Sequence, residues 1–274
     1  MKLNECIIVS KEIDNKFILA KNRDRTYKPT LRIVREILNG IEVAYLHDTK
    51  TDWSEGLNSN GIGAINSALM VGADEDELKL IKKSGKKSLD GQKMRHIMAQ
   101  HTLRAALIAA VVFKGNNRYG IKGHTFIASP KTLISLENIR DIDKPIIKIE
   151  NREHPLVRTN HGQVYTTAGY TKGKDYLSSR LRKISAEKVV DKVSDWTKIG
   201  AALRKNFYDS DKEFFNMSRE TDKMSTTSHT ILNLTDKILM VEYYEDRIDK
   251  FEGIVNKLPQ GYTPTIKVVI KKLV

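Results

Sequence analysis

The sequence is poor in the residues on which several classes of protein depend. Cys6 is the only cysteine among 274 residues, so an intramolecular disulfide is excluded and nothing favours an oxidising compartment. Apolar stretches stay well short of the roughly 20 residues that cross a membrane, and residues 1–5 lack the apolar core of a signal peptide. These absences predict a cytoplasmic protein with no membrane association.

Aromatic residues are also scarce, at 7% of the chain, and neither zinc-finger spacing nor an RNP-type strand occurs. The net charge is +13, but the basic residues are spread from Lys2 to Lys272 rather than collected into one arm. A nucleic-acid partner is therefore not expected, whereas the charge favours an acidic partner. No sequence pattern sets an oligomeric state.

Motifs for metals and cofactors are missing as well. The seven histidines form no H-E-x-x-H pattern, and His96 and His101 are five residues apart, off one helix face. Residues 169–174 contain glycine and lysine but lack the spacing of a phosphate-binding loop. The sequence predicts neither a metal site nor a cofactor.

What the sequence does contain is one thiol close to an Asn-Arg-Asp cluster. Residues 5–10 and 16–20 are short apolar runs, and Asp14-Asn15 between them is a turn pair, which predicts a β-hairpin. The hairpin places Cys6 beside Arg23 and Asp24. An N-terminal-nucleophile amidase needs this arrangement, because its freed α-amino group (pKa near ~8) deprotonates the adjacent thiol (pKa near ~8.5).

The remaining periodicity predicts an α+β domain. Strands are expected within residues 33–46, 61–70 and 123–134, and again over 226–232, 238–244 and 265–270. Helices are expected from the acidic segment 73–77, over 88–113, and over 177–186 and 194–207. Alternating blocks of strands and helices indicate two packed sheets with helices outside.

Four segments resemble, in order, those of the linear-amide hydrolases, a group that includes penicillin V acylase, choloylglycine hydrolase and the acyl-coenzyme A:6-aminopenicillanate acyltransferases. The first is Cys6 with the Asn-Arg-Asp stretch at 22–24. The others are Glu-Gly-Leu-Asn at 55–58, continuing to Asn66, Thr-Asn-His at 159–161 and Ser-Ser-Arg at 178–180.

The resemblance implies a four-layer αββα sandwich of two mainly antiparallel sheets, the N-terminal-nucleophile (Ntn) hydrolase fold. It implies that Cys6 is the nucleophile and that its own amine is the base. Arg23 and Asp24 would flank that amine, and the substrate would be a small-molecule amide.

Further roles come from the same resemblance. Asn160 and Asn66 would form the oxyanion hole, which suits a neutral amide that donates a hydrogen bond as charge develops. Arg180, or Arg23, would favour the thiolate.

One departure concerns the start of the chain, where residues 1–5 precede Cys6. We expect a short propeptide, 1–5, to be removed from a single domain, 6–274, by attack of the thiol on the Glu5 carbonyl. If it stays attached, the base is missing, and the chain would be an inactive precursor or a fold reused for binding.

Three alternatives remain. An acyltransferase would resolve the same thioester with an amine. A non-enzymatic module would use the basic surface to hold an acidic partner. A papain-like dyad of Cys6 with His161 is disfavoured, because adjacent Asn160 and His161 would face opposite sides of a strand.

Overall fold

A computed structural model describes residues 5–69, 90–112, 121–138, 145–164, 177–204, 206–208, 214–216, 220–221 and 224–273. The expected helix from residues 73–77, the glycine- and lysine-bearing segment 169–174 and residues 1–4 of the expected propeptide lie outside these ranges. No helix among the described residues is long and apolar enough to span a membrane.

Two large sheets account for most of the described chain. Sheet 1 contains Cys6 and runs, from edge to edge, in the order β10 (Leu156–Arg158), β1 (Glu5–Ile13), β2 (Lys16–Arg25), β14 (Met224–Asn233), β15 (Ile238–Tyr244) and β17 (Lys267–Leu273), with β13 (Glu220–Thr221) beside β14.

Sheet 2 runs in the order β16 (Lys250–Lys257), β3 (Thr30–Leu38), β4 (Ile41–Asp48), β5 (Trp53–Asn58), β6 (Gly63–Ser67), β7 (Gly123–Ala128), β8 (Leu133–Asn138) and β9 (Ile146–Glu150). Most neighbouring strands in both sheets are antiparallel, whereas β15 with β17 and β16 with β3 are parallel. A separate strand pair joins β11 (Asn206–Tyr208) to β12 (Phe214–Asn216).

The described helices are α1 (Asp90–Met98), α2 (Leu103–Val111), α3 (Leu177–Asp191) and α4 (Ile199–Leu203), with short 3₁₀ turns at Trp196–Lys198 and Glu245–Arg247. Helix α2 begins where the Thr102 hydroxyl accepts a hydrogen bond from the Ala105 N–H at 3.2 Å, which satisfies one free donor of the first turn. The helix expected over 194–207 ends at Leu203, because the Asn-Phe-Tyr segment that follows forms β11, as its aromatic residues favour.

The layers follow from three apolar clusters. One cluster fills the space between the sheets and includes Leu19 of β2 and Ile33 of β3. A second joins sheet 2 to α1 and α2, and a third joins sheet 1 to α3 and α4. The order helix, sheet, sheet, helix confirms the predicted α+β, four-layer αββα sandwich.

The N-terminal hairpin is also confirmed. Asp14 and Asn15 both have positive φ, at 50° and 59°, which is the backbone of a type I′ turn and matches the twist of the flanking strands. This turn fixes the register, so that Cys6 lies opposite Arg23. The position of the thiol relative to the Asn-Arg-Asp cluster therefore depends on two turn residues.

Candidate active site

Cys6 lies on β1, with only 3% of the residue exposed. Its backbone N–H donates to Asn160 Oδ1 at 3.1 Å, and its Sγ lies 3.6 Å from Arg25 Nη1. The Ser67 hydroxyl lies 3.3 Å from the Cys6 carbonyl oxygen. The nitrogen, the sulfur and the carbonyl of one residue are thus each held by a different partner.

Side chains of β2 alternate between the two faces of sheet 1. Lys21 and Arg23 point toward sheet 2, where both contact Glu55, and Arg25 points toward the Cys6 thiol. Asp24 faces the opposite side, where it meets Arg182 of α3. Arg23 and Asp24, expected together at the amine, therefore lie on different faces, as strand periodicity requires.

A buried chain of polar groups connects Asp24 to the Cys6 nitrogen. Arg182 Nη1 lies 3.3 Å from Asp24 Oδ2, and its Nη2 donates to Asn160 Oδ1 at 3.0 Å. The Thr226 hydroxyl donates to Asp24 Oδ1 at 2.6 Å. Asn160 Oδ1 thus accepts from both Arg182 and Cys6, which orients its amide with Nδ2 on the far side.

In both asparagines expected to form the oxyanion hole, the side-chain Nδ2 already donates hydrogen bonds to neighbouring groups. Asn160 Nδ2 donates to the Ala68 carbonyl at 2.6 Å and to Ser67 Oγ at 3.2 Å. Asn66 Nδ2 donates to the Lys122 carbonyl at 2.8 Å and to Thr125 Oγ1 at 2.7 Å. Asn66 and Ala68 line the cavity beside Cys6, so both amides lie at or next to its wall.

The third arginine expected in the site, Arg180, is half-buried on α3, and its charge helps to lower the pKa of His161. The arginine of this helix that bonds to Asn160 is Arg182, two residues further on. Arg182 is 1% exposed and shares the buried helix face with Ser179 and Ala186. A spacing of three to four residues identifies that face.

Buried charged side chains pair with one another between the two sheets. Lys21 pairs with Glu55, and Arg23 Nη2 lies 3.2 Å from Asp48 Oδ2. Burial alone would raise the pKa of Glu55, but the charges of Lys21 and Arg23 outweigh it and lower that pKa to about 2. Burial lowers the pKa of Lys21, although Glu55 opposes this change. The carboxylate is therefore ionised and anchors two cations.

Arg25 is the basic group nearest to the sulfur. Its guanidinium also donates to the Asp24 carbonyl at 2.8 Å, which fixes its position. Burial would lower the pKa of Arg25, but the negative charges of Cys6 and Tyr27 in their ionised forms outweigh it and raise that pKa. Arg25 therefore stays charged and is placed to stabilise a thiolate.

A cavity of about 370 Å³ opens at the sulfur. Its described lining residues are Cys6, Lys21, Arg25, Lys50, Thr51, Trp53, Asn66, Ala68, Leu69, Asp90, Lys122 and Gly123. This volume lies within the range of small-molecule sites, and the wall combines apolar surface with a few polar groups.

His161, the alternative partner of the thiol, is tied to α3 and to its own segment. Its Nδ1 lies 3.0 Å from Ser179 Oγ and 3.1 Å from Thr159 Oγ1. Burial, with the charges of nearby basic groups, lowers its pKa to about 4. In the part of the chain that the structure describes, no group of three His, Cys, Asp or Glu side chains could hold a metal ion.

Lys21, Arg25 and Arg182 were not among the site residues expected from sequence. The sequence pattern nevertheless indicated them. Alternate residues of a strand share one face, so residues 21, 23 and 25 of β2 lie on the face of Cys6. The helical period places residue 182 on the buried face of α3. Because no pattern in the chain links Asn160 to Cys6, 154 residues away, that contact was suggested only by the resemblance.

Two packed, mainly antiparallel sheets between helix layers form the Ntn hydrolase fold. The structure is similar to the Caenorhabditis elegans N-acylethanolamine-hydrolyzing acid amidase ortholog over 84% of this chain and 93% of that one, with a TM-score of 0.55 and 14% sequence identity. A likeness at this identity concerns the fold alone.

A second solved structure, penicillin V acylase from Agrobacterium tumefaciens, matches with a TM-score of 0.40 and 10% identity over 87% of this chain and 86% of that one. This score is too low to support an inference. No protein-family model matches the sequence, and no curated protein sequence matches it.

Proposed function

We propose that the protein is a cysteine amidohydrolase that cleaves a non-peptide carbon-nitrogen amide bond through a thioester at Cys6. The observation that carries the proposal is the environment of this one residue. Its nitrogen is hydrogen-bonded to Asn160, and its sulfur lies beside a charged arginine in a cavity of small-molecule size.

Maturation comes first in this proposal. The Cys6 sulfur attacks the Glu5 carbonyl carbon, the peptide bond to the Cys6 nitrogen breaks, and that nitrogen takes up the thiol proton. Water then hydrolyses the resulting Glu5 thioester, which releases residues 1–5 and regenerates the thiol. The product begins at Cys6 and has a free α-amine that can still donate to Asn160 Oδ1 while its lone pair serves as the base.

Catalysis repeats this chemistry on an external amide. The α-amine takes the thiol proton, the sulfur bonds to the substrate carbonyl carbon, and the leaving amine departs with that proton. Water attacks the thioester, gives a proton to the α-amine, and the carbon-sulfur bond breaks. Arg25 stabilises the thiolate, and Asp24 and Arg182 act through Asn160 to orient the amine.

Stabilisation of the oxyanion is assigned to Asn160, with Asn66 as a second donor. The bond from Asn160 Nδ2 to Ser67 Oγ is the longer of its two, at 3.2 Å against 2.6 Å. We assign this longer bond as the one exchanged for the developing oxyanion, whose negative charge makes it the stronger acceptor.

The test combines intact mass with thioester trapping. Purified full-length chain is expected to lose the mass of residues 1–5, and Cys6→Ala is expected to keep it, because the attacking sulfur is absent. Matured protein is then mixed with a panel of simple N-acyl amides, and amine release is followed by fluorescence. Acid quenching during turnover should yield a Cys6 peptide heavier by the acyl group, and hydroxylamine should remove that mass.

Cys6 is the only thiol, so alkylation by iodoacetamide has one cysteine target and should abolish amine release. A preparation that hydrolyses amides while every molecule retains residues 1–5 contradicts the α-amine base. Normal turnover after complete alkylation of Cys6 contradicts the nucleophile. A matured protein that releases no amine from any amide of the panel contradicts the activity itself.

A further inference from the structure

We infer that His161 is a positioning residue of the site: with its ring proton on Nδ1, it completes a set of hydrogen bonds that holds Asn160 against the Cys6 nitrogen. The inference rests on the proposed function, which gives Asn160 its role, and goes beyond it by assigning a task to the histidine. Residues 159–161 follow β10 and form neither strand nor helix, so their backbone groups need partners elsewhere.

The backbone is anchored on both sides of Asn160. On one side, the Ser67 hydroxyl of β6 donates to the Thr159 carbonyl at 2.9 Å. On the other side, Nε2 of His124 in β7 lies 2.8 Å from the His161 carbonyl, and only a protonated Nε2 can donate there. Sheet 2 therefore holds the residues before and after Asn160 by their carbonyl groups.

Ser179 of α3 is the centre of the remaining contacts. Its Oγ lies 2.7 Å from the Asn160 nitrogen, 2.9 Å from Thr159 Oγ1 and 3.0 Å from His161 Nδ1. A hydroxyl donates one proton and accepts two. Because the N–H of Asn160 takes one acceptor position, the hydroxyl keeps one proton to donate and one position at which to accept.

The proton of Thr159 determines how these are used. The Thr159 hydroxyl donates to the Ser179 carbonyl at 2.9 Å, so its Oγ1 can only accept from the groups around it. Two such groups face it, the Ser179 hydroxyl at 2.9 Å and His161 Nδ1 at 3.1 Å. Without a proton on Nδ1, the second contact would join two buried acceptors. With the proton on Nδ1, the ring donates to both oxygens at nearly equal distances, and each contact has a donor.

The charge of the ring fits this arrangement. Burial, with the charges of nearby basic groups, lowers the pKa of His161 to about 4, so the ring is neutral at neutral pH. It therefore donates without adding a charge near Arg182, which bonds to Asn160 Oδ1. Loss of the ring donor leaves two buried oxygens short of a proton. The segment is then expected to shift and to weaken the bond between Asn160 and the Cys6 nitrogen.

The first measurement is the tautomer itself. Full-length Cys6→Ala protein is used, because it is expected to keep residues 1–5 and so has an amide at position 6. Nitrogen-15 NMR of labelled histidine distinguishes a protonated ring nitrogen from an unprotonated one, and the signals of His161 are those that His161→Asn lacks. At neutral pH we expect the proton on Nδ1 alone. A ring that carries it on Nε2 instead, or a charged ring, overturns the inference.

Two substitutions at this position test the role. An asparagine amide can occupy the place of Nδ1, whereas the longer glutamine amide reaches the place of Nε2, so His161→Asn should retain the donor and His161→Gln should lose it. In the Cys6→Ala background, the amide at position 6 still faces Asn160 Oδ1. Its hydrogen exchange should accelerate by about tenfold in His161→Gln, which corresponds to the net free energy of one hydrogen bond, and should change little in His161→Asn.

Substitutions of serine on α3 provide the matched control. Ser179→Ala removes the acceptor of the Asn160 N–H and should accelerate the same exchange. Ser185→Ala removes a hydroxyl that is also buried on this helix and should leave the exchange unchanged. Each rate is divided by that of the buried Ala20 amide in β2, so that a general loss of stability cancels.

The chain with Cys6 intact relates the contact to the proposed chemistry. Release of residues 1–5, followed by intact mass, should slow by up to about 100-fold in His161→Gln, the factor for a misplacement of about 1 Å, and His161→Asn should restore most of the rate. Equal exchange and equal release in the two variants overturn the positioning role and leave the proposed function intact. A wild type that never releases residues 1–5 contradicts the proposed maturation, whereas NMR and exchange still decide the role of His161.

Discussion

Asn160→Ala is the substitution that tests most directly whether Asn160 contributes to catalysis, to stability or to both. The side chain forms four hydrogen bonds: two accepted at Oδ1, from Cys6 and Arg182, and two donated from Nδ2, to Ser67 and Ala68. The substitution therefore removes the proposed oxyanion donor and also leaves buried partners unsatisfied. Both effects have to be measured on the same preparation.

The structure leads us to expect a fall in kcat and a fall in the free energy of unfolding. Loss of one oxyanion donor should reduce kcat by roughly 10²- to 10³-fold, or about 2.7 to 4 kcal/mol, with little change in substrate affinity. Each buried group left without a partner costs about 1–3 kcal/mol in the free energy of unfolding. The assay uses a chain in which Met directly precedes Cys6, so that the variant does not depend on its own cleavage. Turnover is expressed per folded molecule, from urea titrations.

Asn58 provides the matched control. It is fully buried and also forms four bonds: its Nδ2 donates at 2.8 Å to two backbone carbonyls, and its Oδ1 accepts at 3.0 Å from two backbone N–H groups. It is not among the residues that line the cavity. Asn58→Ala should lose comparable stability and keep kcat. If both variants show the wild-type kcat per folded molecule, the oxyanion role of Asn160 is refuted.

Three further predictions concern the buried framework. Glu55→Gln removes the carboxylate that pairs with buried Lys21 and leaves Arg23 with Asp48 alone, so the free energy of unfolding in urea should fall by about 3–5 kcal/mol. Burial is the main cause that lowers the pKa of His229 to about 3. Below about pH 6.5 the unfolded chain therefore takes up a proton at His229 that the folded chain does not bind. This residue alone should lower stability by up to about 1.4 kcal/mol per pH unit between pH 6.5 and pH 3, a contribution that His229→Gln removes. In Gly56→Ala the added Cβ would lie 2.1 Å from the Ala44 carbonyl oxygen, and we expect a loss of roughly 3 kcal/mol or more.

Each of these has its own control. Glu187→Gln removes a half-exposed helical partner of Lys183 and should change stability by less than about 0.5 kcal/mol. His101→Gln, at an exposed site, is the control for replacing a histidine that folding does not bury. Gly40→Ala meets nothing within 4 Å and should lose only about 1 kcal/mol for its φ of 76°. Equal losses within any matched pair would contradict the burial argument.

Whether a contact in the site can be predicted from sequence depends on how far apart in the chain the two residues lie. The turn at Asp14-Asn15 and the period of two set the faces of β2, so the position of Arg25 beside Cys6 was predictable from local pattern. The same rule separates Arg23 from Asp24, which the resemblance had treated as a pair. Local signals were sufficient here, because each contact lies within one hairpin.

The pairing of buried charges between the sheets was not predictable in this way. Glu55 receives Lys21 from one strand and the Thr230 hydroxyl from another, 175 residues away. Nothing in the local composition around Glu55 indicates either partner, because the contact arises only when sheet 1 packs on sheet 2. The layered fold could be predicted from the order of strands and helices, but the inter-sheet register that aligns these charges could not.

In sheet 1, β2 lies between β1 and β14. Its pairing with β14 determines when, during synthesis, the surroundings of Cys6 can form. Thr226 of β14 bonds to Asp24 across 202 residues of chain. At about 5–20 residues per second, a ribosome needs roughly 10–40 s to add that length. During this interval the N-terminal hairpin lacks its inner neighbour and the cysteine lacks its assembled surroundings. The order of the strands thus delays assembly of the buried polar groups around Cys6 until the chain has been made at least as far as Thr226.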